Sequence, residues 1–363
     1  MQRIYAFPLC HPPLKRDNSA MDRRNFVYYN QRTPHSHYIQ RRKKQAKISP
    51  SRILLAIAFV SLAFIGQLIF LKNKPTDEQV LSAQTDTTKS ADESKISNSP
   101  LKNVPLPTIG QSAIGTLEEG LIHQTENETQ APIASITKII TSLVLLEKRP
   151  LQLGEKGKSI TFTDKDLQYF NGYYAKLGTV TAVTVGDSMS QYEALQSILL
   201  PSSNNMADTM VDRYFSNMEE YIAYANNFLR QHGLQNTVVA DASGFSPDSK
   251  STPSDLIKLG QLALQNPVIK EIVAQKSATV AVAGDIPNYN ALIYEQGVIG
   301  IKPGATDEAG YCLLFAAELP DIAGTNHTLI AVTVGHPDRP EYVEAAKQLL
   351  EASREAYLAN TGS

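Results

Sequence analysis

The sequence predicts an α+β domain: one antiparallel sheet, closed by strands from both ends of the domain, with a helical lobe inserted between them. Three observations carry this expectation. "QSAIGTLEEGLIHQ" (111–124) reads as two short strands around a Glu-Glu-Gly turn. Residues 150–235 are mostly helical in pattern, with a few short hairpins. Three strand-like runs then follow in succession, "GVIGIKPG" (297–304), "GYCLLFAAEL" (310–319) and "HTLIAVTVG" (327–335). Their short Gly/Asp-bearing connections predict an antiparallel meander. Strands first, helices in the middle and strands last require sequence-distant strands to meet in one sheet.

The chain begins with a different kind of segment. Residues 1–52 carry twelve Lys/Arg against two acidic residues, whereas the remainder carries 22 against 34, and the net charge of −2 conceals the split. Two parts so differently charged are expected to work in different places. The basic tail has no heptads, folded pattern or regular aromatic interleaving. It reads as a solvated tail leaning on anionic lipid, with no nucleic-acid partner.

"RILLAIAFVSLAFIGQLIFLKNK" is the long apolar run of the sequence, and Ile53 to Leu71 is just long enough to cross a bilayer as a helix. Arg41, Arg42, Lys43, Lys44, Lys47 and Arg52 crowd its N-terminal side, which places the N-terminus in the cytoplasm and the rest outside. The following "IFLKNKPTD" offers no small-residue cleavage site, so the segment is expected to stay as a single-pass anchor in the cell membrane. Residues 72–107, rich in Ser, Thr, Asp, Lys and Pro without an apolar period, are expected to be a disordered linker. The folded domain is expected over 108–358.

Within that domain, 135–147 is apolar nearly all round, as in a buried helix. "STPSDLIKLGQLAL" shows a helix start, with Thr252 at the cap, Pro253 at the first helical position and Asp255 near the positive end of the dipole. A final helix is expected over about 340–358.

Several chemistries have no residues to carry them. The two cysteines, Cys10 and Cys312, form no CxxC pair or disulfide framework, and Cys312 reads as a small buried hydrophobe. No HExxH occurs, and His123, His232, His327 and His336 are scattered, so no metal site and no cofactor is expected. No GxSxG elbow is present.

Three short stretches carry candidate chemistry. "APIASITKII" places Ser135 three residues before Lys138. A serine needs a base to become a nucleophile, and a lysine serves if burial or a neighbouring cation lowers its pKa. A helix N-terminus there also favours a developing oxyanion. The spacing alone is cheap, because Ser99/Lys102 repeats it in the expected linker. "LLPSSNNMAD" offers Ser202 and Asn204, or equally Ser203 and Asn205, as hydroxyl and amide, or simply as a helix cap. "GIKPGATDEAGY" puts Lys302 and Gly304 at the end of a strand, a cation for an anionic substrate terminus and a glycine for close approach of substrate to backbone.

In this order the three stretches resemble the SxxK, SxN and KTG motifs of serine penicillin-recognising enzymes. With "GLQNTVVADASGFSPDSKSTPSDLIKLGQLAL" between the last two, residues 108–338 are similar to the low-molecular-weight D-alanyl-D-alanine carboxypeptidases. The resemblance implies a penicillin-binding/β-lactamase-like fold: a five-stranded antiparallel sheet flanked by helices, with the active site between sheet and helical lobe. It implies Ser135 as acylated nucleophile, Lys138 as general base and Ser202 as proton relay with Lys302. Asn204 would hold the substrate amide, and the backbone N–H groups of Ser135 and Ala305 would form the oxyanion hole beside Gly304. Peptidoglycan stem peptides would be the substrate and β-lactams covalent inhibitors. The chain departs from the family where Pro303 replaces the KTG threonine. That departure keeps open a weakened or inactive peptidoglycan-binding relative, and a DD-endopeptidase would use the same site. A class A β-lactamase fits less well, because "SSN" replaces SDN and no deacylating glutamate follows it.

Overall fold

The structure is a computed structural model of the chain and describes residues 99–126 and 128–359. The basic tail, the expected anchor at 53–71 and the expected linker as far as residue 98 lie outside the described residues. The last stretch of that linker is folded. Pro100–Asn103 forms a 3-10 turn, and Leu101 and Val104 are buried against the sheet and the C-terminal helix. The polar composition of 72–107 as a whole concealed two apolar residues that cap the core. Packed structure is therefore present on the N-terminal side of residue 108, within the stretch expected to be linker.

Eleven strands and eight α-helices follow among the described residues. The strands are β1 Gln111–Thr116, β2 Gly120–Gln124, β3 Ala131–Pro132, β4 Ser159–Thr161, β5 Ser188–Ser190, β6 Lys250–Ser251, β7 Ser277–Val280, β8 Gly284–Pro287, β9 Val298–Thr306, β10 Gly310–Pro320 and β11 Asn326–His336. The helices are α1 Thr137–Lys148, α2 Asp164–Ala175, α3 Gln191–Leu199, α4 Asn204–Tyr214, α5 Met218–Gln231, α6 Pro253–Gln265, α7 Pro267–Val273 and α8 Arg339–Ala359.

The sheet has five strands in the order β2-β1-β11-β10-β9, all neighbours antiparallel. The N-terminal hairpin thus lies beside the last strand of the meander, as the strand–helix–strand order predicted. Both faces are covered, which explains why β10 reads as a continuous apolar run. Cys312, Leu314 and Ala316 pack towards α1 and α6, and Leu313, Phe315 and Ala317 towards α8. Cys312 is the buried hydrophobe its setting predicted, its thiol pushed up to about 12 by burial.

The start of α6 follows the expected signals, with the Thr252 hydroxyl accepting from the Asp255 N–H and Pro253 in the first turn. The short α7 and the β7–β8 hairpin escaped the sequence reading because neither is long enough to show a period. Strand β9 is the sheet's edge, paired only with β10, and Pro303 stands opposite Leu313 there. An edge strand has a side on which no ladder N–H is needed, so proline is accommodated.

Candidate active site

Ser135 lies in a 3-10 turn, Ala134–Ile136, that leads directly into α1. The turn is held in an unusual shape: Ala134 has φ 44, in the left-handed region that costs a non-glycine residue about 1–3 kcal/mol. Gly244 packs beneath it so closely that an added Cβ would stand 1.8 Å from the Ala134 carbonyl oxygen. Gly304 of β9 packs on it from the other side, where a Cβ would stand 2.9 Å from the Ser135 nitrogen. The close approach that Gly304 permits is therefore that of the nucleophile's own turn, beyond the substrate approach expected for it.

Lys138, in the first turn of α1, is fully buried. Its Nζ contacts three oxygens: Asn204 Oδ1 at 2.6 Å, the Ser243 carbonyl at 2.7 Å and Ser135 Oγ at 2.9 Å. The first two can only accept, so they consume two N–H bonds. The remaining direction points at Ser135 Oγ, and in the neutral amine it holds the lone pair. Burial lowers the Lys138 pKa to about 7, against the opposing pull of the Asp241 and Asp208 charges. The arrangement can thus take the Ser135 proton near neutral pH.

The loop after α3 places the two pairs of "SSNN" differently. Ser202, at φ 66, is nearly buried, lines the cleft with Ser135 and has no partner for its Oγ. Ser203 instead caps α4, accepting from the Met206 N–H and donating to Asn205 Oδ1. Asn205 clasps the backbone of Thr181 through its Nδ2 and Oδ1. The Ser202/Asn204 pair lies beside Ser135 and Lys138, and the Ser203/Asn205 pair holds the loop.

Lys302 is also fully buried, opposite Leu314 on the lobe-facing side of the sheet. Its pKa falls well below the ordinary lysine value, first through burial and then through the nearby Lys138 charge. Its Nζ makes no hydrogen bond, so the expected link to Ser202 is not formed as a direct bond. Gly304 and Ala305 line the same cleft, whose volume is about 620 Å³. Ser135 is the second residue of a helical segment that starts at Ala134, and the first N–H groups of such a segment have no partner within it. The structure thus brings Ser135, Lys138, Ser202, Asn204, Gly304 and Ala305 together, with Lys302 behind them.

Two groups near Lys138 were missed. Asp241 organises the "DASGFSPDS" loop by accepting from the N–H groups of Gly244, Phe245 and Ser246 and from the hydroxyls of Ser243 and Ser249. That loop delivers the Ser243 carbonyl to Lys138. An Asp followed by Ser and Gly is a turn signal, but nothing in it points to a partner 105 residues earlier. The second is Asp208, one turn beyond Asn204 on α4. It is buried, accepts from the Tyr173 hydroxyl at 2.9 Å, and has its pKa raised to about 7, chiefly by burial. Among the described residues no three His, Cys, Asp or Glu side chains group as a metal site.

A serine hydroxyl held against a buried, deprotonatable lysine, between a sheet edge and a helical lobe, defines a serine hydrolase of the acyl-transfer type. Sequence comparison makes the assignment narrower. The chain belongs to the D-alanyl-D-alanine carboxypeptidase family, whose profile matches residues 117–337. It is 28% identical to a D-alanyl-D-alanine carboxypeptidase of Streptomyces sp. (strain K15), over 60% of this chain and 80% of that protein. It is 26% identical to a D-alanyl-D-alanine endopeptidase of Escherichia coli (strain K12), over 53% of this chain and 62% of that protein. The fold matches the crystal structure of the Streptomyces K15 DD-transpeptidase with a TM-score of 0.60 at 25% identity, covering 69% of this chain and 99% of that one.

Proposed function

We propose that this serine DD-peptidase cleaves the bond after the penultimate D-alanine of peptidoglycan stem peptides through an acyl-enzyme on Ser135. One observation carries the assignment of roles: two fixed acceptors orient Lys138 Nζ so that its third direction meets Ser135 Oγ. Lys138 takes the hydroxyl proton as Ser135 Oγ attacks the carbonyl carbon. The N–H groups of Ser135 and Ala305 stabilise the oxyanion. The C–N bond then breaks, the leaving amine gains its proton through Ser202 with Lys302 behind it, and water hydrolyses the ester. Asn204 holds the peptide on the acyl side.

The catalytic domain works outside the cytoplasm, where its polymer lies, tethered by residues 53–71 with the basic tail inside. The apolar length and the flanking charge of that segment support this topology. A second reading, a peptidoglycan-binding relative with impaired chemistry, is favoured by Pro303 and by the unpartnered Lys302 Nζ. Incubation with a labelled penicillin, followed by mass spectrometry of the peptides, separates the two. The label is expected on Ser135, to vanish in Ser135→Ala and to persist in Ser99→Ala. Label on another residue, or surviving Ser135→Ala, refutes the assignment.

A further inference from the structure

The buried polar groups behind Lys138 do not end at its three oxygen partners. Asn204 and Asp208 stand four residues apart on α4, so their side chains share one face of the helix. Asn204 accepts from Lys138 Nζ at 2.6 Å, and the Asp208 charge acts on the same lysine. Asp208 is 8% exposed. Its Oδ2 accepts from the Tyr173 hydroxyl, and its Oδ1 has no hydrogen-bond partner. Among the described residues, Tyr173 is thus the donor on which this carboxylate depends. Asp241, the other acid near Lys138, is held by three N–H groups and two hydroxyls. A carboxylate with one donor in a dry setting loses its charge far more readily than one with five.

Tyr173 is fixed from two sides. It lies near the end of α2, and its carbonyl accepts from the Lys176 and Gly178 N–H groups as the helix closes. Its ring meets Phe245 edge-on, with centroids 5.5 Å apart. A Cβ on Gly178 would stand 2.8 Å from Asn204 Nδ2 and 3.4 Å from each of the two rings, so all three side chains close around that glycine. The Tyr173 oxygen is also 3.4 Å from Ser243 Oγ, and the Ser243 carbonyl accepts from Lys138. Ionised Asp208 takes the phenol proton. Protonated Asp208 turns donor, and the phenol proton is then free to swing to Ser243 Oγ.

Other titratable groups face this network from each element around it. Lys138 comes from α1, Asp241 from its loop and Lys302 from β9, near Lys138. Asp212 lies one turn beyond Asp208 and is paired with Lys165 and Arg213. Tyr169 lies one turn before Tyr173, beside Lys165, and Tyr221 of α5 is bonded to Thr141. None of these donates a hydrogen bond to Asp208.

We propose that Tyr173 is a positioning residue for the base: its hydroxyl holds a negative charge on Asp208, and that charge sets how readily Lys138 gives up its proton before it activates Ser135. This inference rests on the reading of Lys138 as the base for Ser135. Tyr173→Phe keeps the ring on Phe245 and removes the donor. Asp208 then takes a proton at higher pH, Lys138 loses an opposite charge, and its cation becomes less favourable. The lysine is then neutral down to lower pH.

Penicillin acylation of the purified full chain, followed against pH, tests this. In Tyr173→Phe the acidic limb is expected to move down by roughly 0.5–1 pH unit. That is less than a full opposite charge produces, because Asp208 is only partly ionised near pH 7. Adding Tyr173→Phe to Asp208→Asn is expected to move the limb no further. A limb that stays in place while the rate falls at every pH makes Tyr173 a packing residue and overturns the inference. So does a double variant whose shift is the sum of the single ones. A second measurement needs no change at 173. With carbon-13 at the tyrosine Cζ positions, one resonance is expected to titrate along with the acidic limb in wild type and to lose that titration in Asp208→Asn. Its absence overturns the inference and leaves the serine assignment intact. No mass added to Ser135 in wild type overturns both.

Discussion

Gly304 and Ser135 meet backbone to backbone: a Cβ on Gly304 would stand 2.9 Å from the Ser135 nitrogen and 3.0 Å from the Ile133 carbonyl oxygen. The atoms in the way belong to the main chain of the nucleophile's turn, which is itself clamped from below by Gly244. A methyl group here must therefore push the turn off β9. Gly304→Ala is expected to keep the fold, at a cost of about 1–3 kcal/mol in stability. It should slow acylation about a hundred-fold, because the oxyanion donors of Ser135 and Ala305 no longer converge. Thermal melts and penicillin acylation rates on the same preparation check both halves; unchanged acylation would remove Gly304 from the site's construction.

Lys138 must be neutral to act as a base, so acylation is expected to rise with pH through about 7, the value to which burial lowers it. Asp241 and Asp208 both hold that value up against burial, and Tyr173 is bonded to Asp208. Asp208→Asn removes a stabilising negative charge that is itself present only in part near pH 7, because burial raises the Asp208 pKa to about 7 as well. The cation becomes less favourable, the Lys138 pKa falls, and the acidic limb of the rate profile moves to lower pH. A limb that stays in place, or moves upward, contradicts the coupling.

Ser202 and Ser203 are adjacent but should fail differently. Ser203→Ala deletes the α4 cap and a partner of Asn205. It is expected to cost about 0.5–2 kcal/mol of stability with acylation nearly intact. Ser202→Ala removes a hydroxyl with no protein partner. It is expected to leave the melting temperature close to wild type and to slow turnover roughly 10²–10⁴-fold, the range for a lost proton-transfer group. Melting curves and turnover with a peptide ending in D-alanyl-D-alanine distinguish the pair; identical behaviour would restore the shifted reading of "SSNN".

The turn at 100–103 is packed into the folded core through Leu101. A chain starting at residue 75 is expected to remain in the soluble fraction, fold and melt as a single unit. One starting at residue 105 loses Leu101 and Val104 from the core, each worth about 1.5–3 kcal/mol if fully buried, and should melt distinctly lower. Equal melting temperatures would mean that the turn contributes nothing. A chain starting at residue 75 that still sediments with membranes in high salt would point to a second anchor.

The sheet and the lobe were legible because their signals are local and periodic. The three runs at 297–335 carry their strand length and turns in sequence, and Thr252-Pro253 announces α6 by cap chemistry alone. The short α7 and the β7–β8 hairpin were not legible, since four- to seven-residue elements show no period. The turn at Leu101 was hidden for a related reason, two apolar residues in a polar stretch. The site was legible only as motifs, and spacing left Ser202/Asn204 and Ser203/Asn205 equivalent.

By itself, then, the sequence determined the element order, the pairing of terminal strands with the final meander, the serine–lysine spacing and the proline in place of threonine at 303. All of these follow from residue type and position along one chain. Only the tertiary structure decided that Lys138 is oriented by Asn204 and Ser243, that Asp241 and Asp208 stand within its electrostatic reach, and that Lys302 is buried near it without a partner. Those facts depend on groups tens to more than a hundred residues apart meeting in a buried space. Burial and the strength of charge there are set by what packs on every side, which no local pattern records.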